Sequence, residues 1–399
     1  MIINIDLKQF RYGIAKLCRV ASSDVSGNYA SQLKLTAKKD VLYIAAINEN
    51  RTQNLAVKFD NSVCSIQEEG ICCVPAKTLQ QIIDLTIGDT VEISTKNNLV
   101  NIKPLPSKRN DEQQIVEGID ASKWIGSDTI KTGIVEFKMS RDFLLDVSRF
   151  ISSSCSGDKS KAPLTAIHVN IFPDGKVQCT ATDYMAKLSL YDTNAGVEFK
   201  EPIEKNLILM LPVDAARKIT QIFDKNIDVF SVKTNGKKIV VSGGNTLFSF
   251  ATEIGVNKYP VLRSYVATDS IFACEVNLAE LSRVVGLVSA IGPQEACTIE
   301  FNSENIVISS KSQNNFSRQV LDLESKNTYD SLPLVAAVAM SDFIEALNIP
   351  TSEKVSIGIV SLISNPNINF LEIQQSEAND YHWRHIIFTA RSEDEKDTT

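Results

Sequence analysis

The chain has 399 residues, 43% of them hydrophobic and 22% charged, enough to bury ordinary cores in two to four domains. Its formal charge of −7 argues against a simple basic nucleic-acid binder, although basic stripes can coexist with an acidic exterior. No apolar run reaches bilayer length, the start MIINIDLKQF lacks a signal-peptide core, and eight cysteines without a C-x-x-C read as reduced thiols, so a cytoplasmic protein with no membrane segment is expected.

Leu7, Phe10, Ile14 and Leu17 share helical spacing and predict an amphipathic helix from about Asp6 to Val20. At 100° per residue, Lys8, Lys16 and Arg19 fall on the arc opposite that stripe. The alternating segments SQLKLTAK, VLYIAAI and NLAVKF predict strands. Pro75 then opens a helix over 75–85, and VEISTK and LVNIKPL follow as strands. Residues 106–130 are polar and rich in turn formers, which predicts a linker or long surface loop. In IVEFKMSRDFLLDVSRFI, Phe143, Val147, Phe150 and Ile151 form a buried stripe, with Arg141 and Arg149 on the same helix. A loop at 152–163 leads to strands IHVNIF, KVQCTATD and AKLSLYD, then to a helix over 212–223 carrying Arg217 and Lys218. A β-meander with turns at Asn235-Gly236 and Gly243-Gly244 comes next. FACEVNLAELSRVVGLVSAI, with Arg283 on its helix, opens the last third, which closes in strands and a charged tail, SEDEKDTT, expected to be disordered.

The order repeats. VPAKTLQQIIDL at 74–85, LPVDAARKITQIF at 211–223 and VAMSDFIEALNI at 338–349 begin 137 and 127 residues apart. That period predicts three tandem α+β domains, 1–128, 129–267 and 268–399, each with helices on one face of antiparallel sheets. Tandem domains of one fold tend to build curved or closed objects that bind or encircle something.

Enzymatic chemistry finds little support. His382 and His385 are three apart on a predicted strand and face opposite sides, and His168 stands apart from both. No G-x-S-x-G, Walker loop or H-E-x-x-H occurs. Cys72-Cys73 precedes a helix with no histidine nearby in sequence, and the pairs Glu68-Glu69 and Asp111-Glu112 lie in polar turns. No catalytic residue, metal site or cofactor is expected.

Four stretches carry a family resemblance. They are VEFKMSRDFLLDV at 135–147, CTATDYMAKLSLYD at 179–192, LPVDAARKITQIFD with its meander and KYPVLRSYV at 258–266, and LSRVVGLVSAI with the closing HIIFTAR at 385–391. In this order, and with the threefold repeat, the chain resembles the bacterial β sliding clamp, the processivity ring of the replicative DNA polymerase, along essentially its whole length. The resemblance implies a head-to-tail homodimer whose helices line an inner wall and whose sheets lie outside. Such a ring encircles duplex DNA without sequence readout and tethers polymerase, clamp loader and repair proteins through short peptide motifs. It implies a DNA-facing role for Lys8, Lys16, Arg19, Arg141, Arg149, Arg217, Lys218 and Arg283; solvated helix faces are the plain alternative. A partner-peptide pocket would use Leu164, Thr182, Leu188, Pro260, Arg263, Tyr265, Ile368, Ile386 and Phe388, residues that could equally be core.

The segment Tyr184-Met185-Ala186-Lys187-Leu188 is one residue longer than the family pattern, leaving open whether Ala186 or Lys187 takes the arginine position there. Ser264 replaces the second of two arginines, and Phe388, Thr389 and Ala390 replace a proline-containing terminus. The dimer interface would place Val100 and Ile102, on an edge strand, against Ala290 and Ile291. A reading that keeps the fold but changes the job is a clamp-like protein-binding adaptor that does not encircle DNA.

Overall fold

A computed structural model of the chain describes residues 1–22, 28–106, 113–124, 126, 130, 132–252, 259–291, 296–312, 315–324, 329, 332–377 and 381–388. The charged tail lies outside them. The first third runs β1 (Ile2–Asp6), α1 (Leu7–Cys18), β2 (Gln32–Lys38), β3 (Val41–Ile47), β4 (Gln53–Phe59), β5 (Cys64–Glu68), β6 (Gly70–Pro75), α2 (Ala76–Leu85), β7 (Thr90–Lys96), β8 (Leu99–Leu105) and β9 (Gln114–Glu117). Next come β10 (Val135–Ser140), α3 (Arg141–Asp146), β11 (Ala166–Ile171), β12 (Val177–Thr182), β13 (Lys187–Thr193), β14 (Val197–Phe199), β15 (Leu207–Pro212), α4 (Val213–Ile222), β16 (Val229–Thr234), β17 (Lys238–Gly243) and β18 (Thr246–Ala251). The last third holds β19 (Phe272–Asn277), α5 (Leu278–Ser289), β20 (Ala296–Phe301), β21 (Asn305–Ser312), β22 (Asn315–Asp322), β23 (Leu334–Ala339), α6 (Met340–Leu347), β24 (Lys354–Leu362), β25 (Asn365–Glu377) and β26 (Tyr381–Ile387).

Strand, helix and three strands therefore recur six times among the described residues, twice in each third. Contacts divide the chain into two compact units. The first comprises residues 1–144, 198–201 and 214–253, with one sheet of order β5-β1-β7-β8-β9 and another of order β14-β10-β16-β17-β18-β4-β3-β2-β6. The second comprises residues 145–197, 202–213 and 254–399, with sheets β15-β11-β12-β13-β26-β25-β24-β19 and β22-β21-β20-β23. The pairings β4–β18 and β13–β26 join strands from different thirds, so each large sheet draws on two repeats.

Local chemistry explains the elements. Asp6 caps α1 by accepting from the Gln9 amide at 2.8 Å, and Leu7, Phe10, Ile14 and Leu17 are buried as the spacing predicts. Gly13 sits inside this helix because a Cβ there would lie 2.4 Å from Cζ of Phe59. Arg11 donates through Nε and Nη2 to the Ile83 carbonyl and through Nη2 to that of Thr86, satisfying carbonyls at the end of α2. In the second unit Phe150 stacks among Tyr191, Tyr381 and Trp383, and the Trp383 indole donates to the Phe150 carbonyl at 2.8 Å. The 106–130 segment is not purely loop: it contains β9, and Trp124 is buried against Ile47 and Cys73.

Candidate functional site

Lys16 departs from the expectation. It is buried, with Nζ 2.5 Å from Oδ1 of Asp224 and lying over the Tyr12 ring, whose hydroxyl donates to the same oxygen at 2.7 Å. The helical wheel places Lys16 opposite the apolar stripe, but the loop after α4 covers it. Burial works against the Asp224 charge, yet bonds from Lys16 and Tyr12 and the Lys16 and Arg141 charges outweigh it, leaving that carboxyl below its usual pKa. Arg141 donates to the carbonyls of Phe223, Asp224 and Ile227, and thus pins the loop after α4. Lys218 sits 2.9 Å from Asp214 and donates to Gln53 at 2.8 Å. Lys8, Arg19, Arg149, Arg217 and Arg283 are exposed. Of these, Arg19 donates to Gln221 and Arg283 lies 4.0 Å from Glu280.

The 183–186 turn fixes the local pairing of this segment. Asp183 Oδ1 accepts from the amides of Met185, Ala186 and Lys187 at 2.9–3.0 Å, while Thr182 Oγ1 accepts from Tyr184 N and donates to the Lys187 carbonyl. Tyr184 takes a left-handed φ of 70° within this turn. Thr182 therefore pairs with Leu188, and Lys187 begins β13 with its ammonium 2.5 Å from Glu345 and 3.6 Å from Asp342.

One face of the eight-stranded sheet carries two different quarters. Leu188, Leu190, Val266, Val360, Phe370 and Ile386 form an apolar cluster, with Leu262 and Phe388 packed against it and the Phe370 and Phe388 rings 5.0 Å apart. Of the nine expected pocket residues, Leu188 and Ile386 form its base, Phe388 its side, and Thr182 lies fully buried beside them. Tyr265 and Ile368 are exposed. Leu164 packs instead on Ala166, Met210 and Tyr259, whereas Pro260 and Arg263 line a separate cavity of about 450 Å³. Arg263 is already engaged, with Nη1 2.8 Å from Asp192 and Nη2 donating to the Cys179 carbonyl at 3.0 Å. Sequence reasoning misses Tyr184, Met185, Val261 and Ile363, all exposed and apolar. The Phe388 amide donates to Ala186 O and that of Ile363 to Tyr265 O, so these residues belong to segments at the cluster's rim. An oversized apolar turn was the only signal that could have found Tyr184 and Met185.

The edge expectation also needs correction. β8 is paired on both sides, with Val100 opposite Val116 of β9, and Val100 and Ile102 are buried. The edge is β9, where Ile115 is exposed. Leu85, the last residue of α2, and Ile87 just beyond it are 83% and 88% exposed and flank a cavity of about 480 Å³ that Ile82, Ile102 and Pro104 also line. In the second unit, Ala290 caps α5 and is exposed, as are Ile291 and Leu287, and β22 leaves an edge, among the described residues, carrying exposed Phe316 and Val320.

Among the described residues, no cluster of three or more His, Cys, Asp or Glu could hold a metal ion, and no helix is long and apolar enough to cross a membrane. The strand–helix–three-strand unit, repeated six times among the described residues in antiparallel sheets, defines a DNA-clamp fold. Its solved counterparts are bacterial DNA polymerase III β sliding clamps. The Bacillus subtilis sliding clamp superposes with a TM-score of 0.84 at 17% identity, covering 98% of this chain and 99% of that one. The Streptococcus pneumoniae β chain gives 0.85 at 14%, covering 98% and 100%, and the Helicobacter pylori clamp with a DNA ligase peptide gives 0.79 at 17%, covering 98% and 100%. No protein-family model and no curated protein sequence matches the chain.

Proposed function

We propose that the chain is a sliding clamp, a non-enzymatic cytoplasmic protein that needs no cofactor. In this reading three domains, 1–128, 129–267 and 268–399, form half of a head-to-tail homodimeric ring around duplex DNA. The observation that carries it is the clamp fold along 98% of the chain at a TM-score of 0.84. Lys8, Arg19, Arg149, Arg217 and Arg283 would make screened, sequence-independent phosphate contacts that permit sliding. The apolar cluster around Leu188, Ile386 and Phe388, rimmed by Tyr184, Met185 and Tyr265, would hold short peptides of polymerase, clamp loader and repair proteins. A DNA ligase peptide on the Helicobacter pylori clamp supports that assignment. Tethering raises the polymerase's effective concentration at the primer end without tight DNA affinity. Dimerisation would bury the β9 edge with Leu85, Ile87 and Ile115 against the β22 edge with Phe316, Val320 and Ile291, removing two open edges at once.

Retention on circular against linearised DNA, after loading with a cognate loader, tests this reading. A clamp stays on circles and runs off linear ends. A second reading, an adaptor that does not encircle DNA, draws on the capture of Lys16, Arg141 and Lys218 by protein groups, which thins the helix cations. Equal loss from both DNAs selects it.

A further inference from the structure

The 450 Å³ cavity lies on the same sheet face as the apolar cluster, with the 259–264 segment as its roof. Its floor is built by register. His168 pairs with Thr180, and Asn170 with Gln178, so two adjacent cross-strand pairs of β11 and β12 direct four polar side chains to one face. Ile208, opposite Asn170 on β15, continues the row as an apolar wall, and Pro260 and Val261 close the top. Volume and mixed lining match those of small-molecule sites.

The cavity's electrostatics narrow the occupant. Arg263 is the cation at its margin, and the Asp192 carboxylate 2.8 Å away cancels that charge. His168 stacks on Tyr259 with ring centroids 5.2 Å apart, and burial first, then Arg263, lowers its pKa, keeping it neutral. A charged ligand would therefore leave water without a counter-ion. Asn170 Oδ1 is buried and has no partner among the described residues, so it calls for a donor. The Gln178 amide offers both a donor and an acceptor beside it. Between this floor and the proline-valine roof, a flat apolar body with one hydrogen-bonding edge fits.

We infer that this cavity is a binding site for an uncharged planar ring bearing adjacent N–H and C=O groups, a cyclic amide edge. The N–H donates to Asn170 Oδ1, the C=O accepts from Gln178, and the ring lies under Pro260 and Val261. The assignment does not depend on the clamp reading, since it uses only side chains of one sheet face and its covering segment.

The simplest probe is 2-pyridone, followed by saturation-transfer NMR on the full chain, with N-methyl-2-pyridone and benzoate as controls. Expected are saturation transfer to 2-pyridone, about tenfold weaker binding of the N-methyl compound, which lacks the donor, and no binding of benzoate. Asn170→Ala should weaken 2-pyridone about tenfold while the thermal midpoint stays near that of the parent chain. Gln178→Ala provides an independent check should Asn170→Ala fold poorly. Absence of transfer to 2-pyridone, or equal binding of the N-methyl compound, would overturn the inference. Retention on circular DNA is read separately, so loss of the clamp reading leaves this result unchanged.

Discussion

Lys16 shows how one side chain can leave the class its sequence position assigns. Its ammonium faces a carboxylate 208 residues away, and no local pattern encodes that partner. Asp224→Ala would strand a buried ammonium, so a loss of about 2 kcal/mol of unfolding free energy is expected in denaturant titration, after allowing for the partial exposure of Asp224. Lys16→Met, which removes charge and desolvation cost together, should be much milder. If Lys16 is a strut, Lys16→Met should also change DNA retention less than Arg19→Ala; the reverse order in a salt-titrated retention assay would return Lys16 to the phosphate contacts. His385 makes a second residue-level case. It is fully buried, bonded through Nδ1 to Ser189 at 2.7 Å, and burial, aided by Lys187, holds its pKa down at about 3. The unfolded imidazole takes a proton near pH 6.5, which the folded one refuses until about pH 3. Stability from this group is therefore complete above pH 6.5 and drains away as the pH falls towards 3, by about 3 kcal/mol between pH 7 and pH 4. Denaturant midpoints across that range check it, and His385→Leu should flatten the slope.

Elements differ in how openly the sequence announces them. α1 is legible because period, cap and stripe agree, and the meander is legible because glycines mark its turns, with Gly236 and Gly244 at positive φ. β9 is not: QIVE sits in a polar, turn-rich stretch, and only pairing with β8 makes it a strand. With β9 unread, β8 stands as the edge strand and Val100 and Ile102 as interface residues. Leu188, Ile386 and Phe388, grouped from the sequence, do meet in one apolar cluster, whereas the turn at its rim depends on a left-handed Tyr184 and on Asp183 gathering three amides. Gly13→Ala tests the tightness of α1 against β4. Alanine gains up to about 1 kcal/mol in helix propensity, but its methyl collides with Phe59, so net destabilisation of roughly 1–3 kcal/mol is expected in thermal or denaturant unfolding. A stabilised variant would mean the Phe59 ring moves aside freely.

For the whole molecule the decisive question is assembly. Among the described residues each unit ends a sheet in an unpaired edge flanked by exposed apolar side chains, and such edges are hazards unless covered. On the dimeric reading proposed above, placing charges there, with Ile115→Lys and Leu85→Asp together, should raise the dimer dissociation constant about a hundredfold and leave a folded monomer, as read by light scattering and circular dichroism. Val100→Lys should instead damage folding, because that side chain is core. A doubly charged variant that remains dimeric on dilution would place the interface elsewhere. Three repeats were visible in the sequence as recurring second helices. Their further halving into six was not, because the first helix of each third shares little sequence with the second.

Strand β13 is completed by β26, with Lys187 opposite Ile387 and Thr193 opposite Tyr381. During synthesis these partners leave the ribosome about 190 residues apart, some tens of seconds at slow translation rates, and until then β13 presents bare amides and carbonyls to the cell. Nascent chains of this protein should accordingly be chaperone clients up to the last described strand, and a stop codon just before Tyr381 should yield insoluble material rather than a shortened but folded protein.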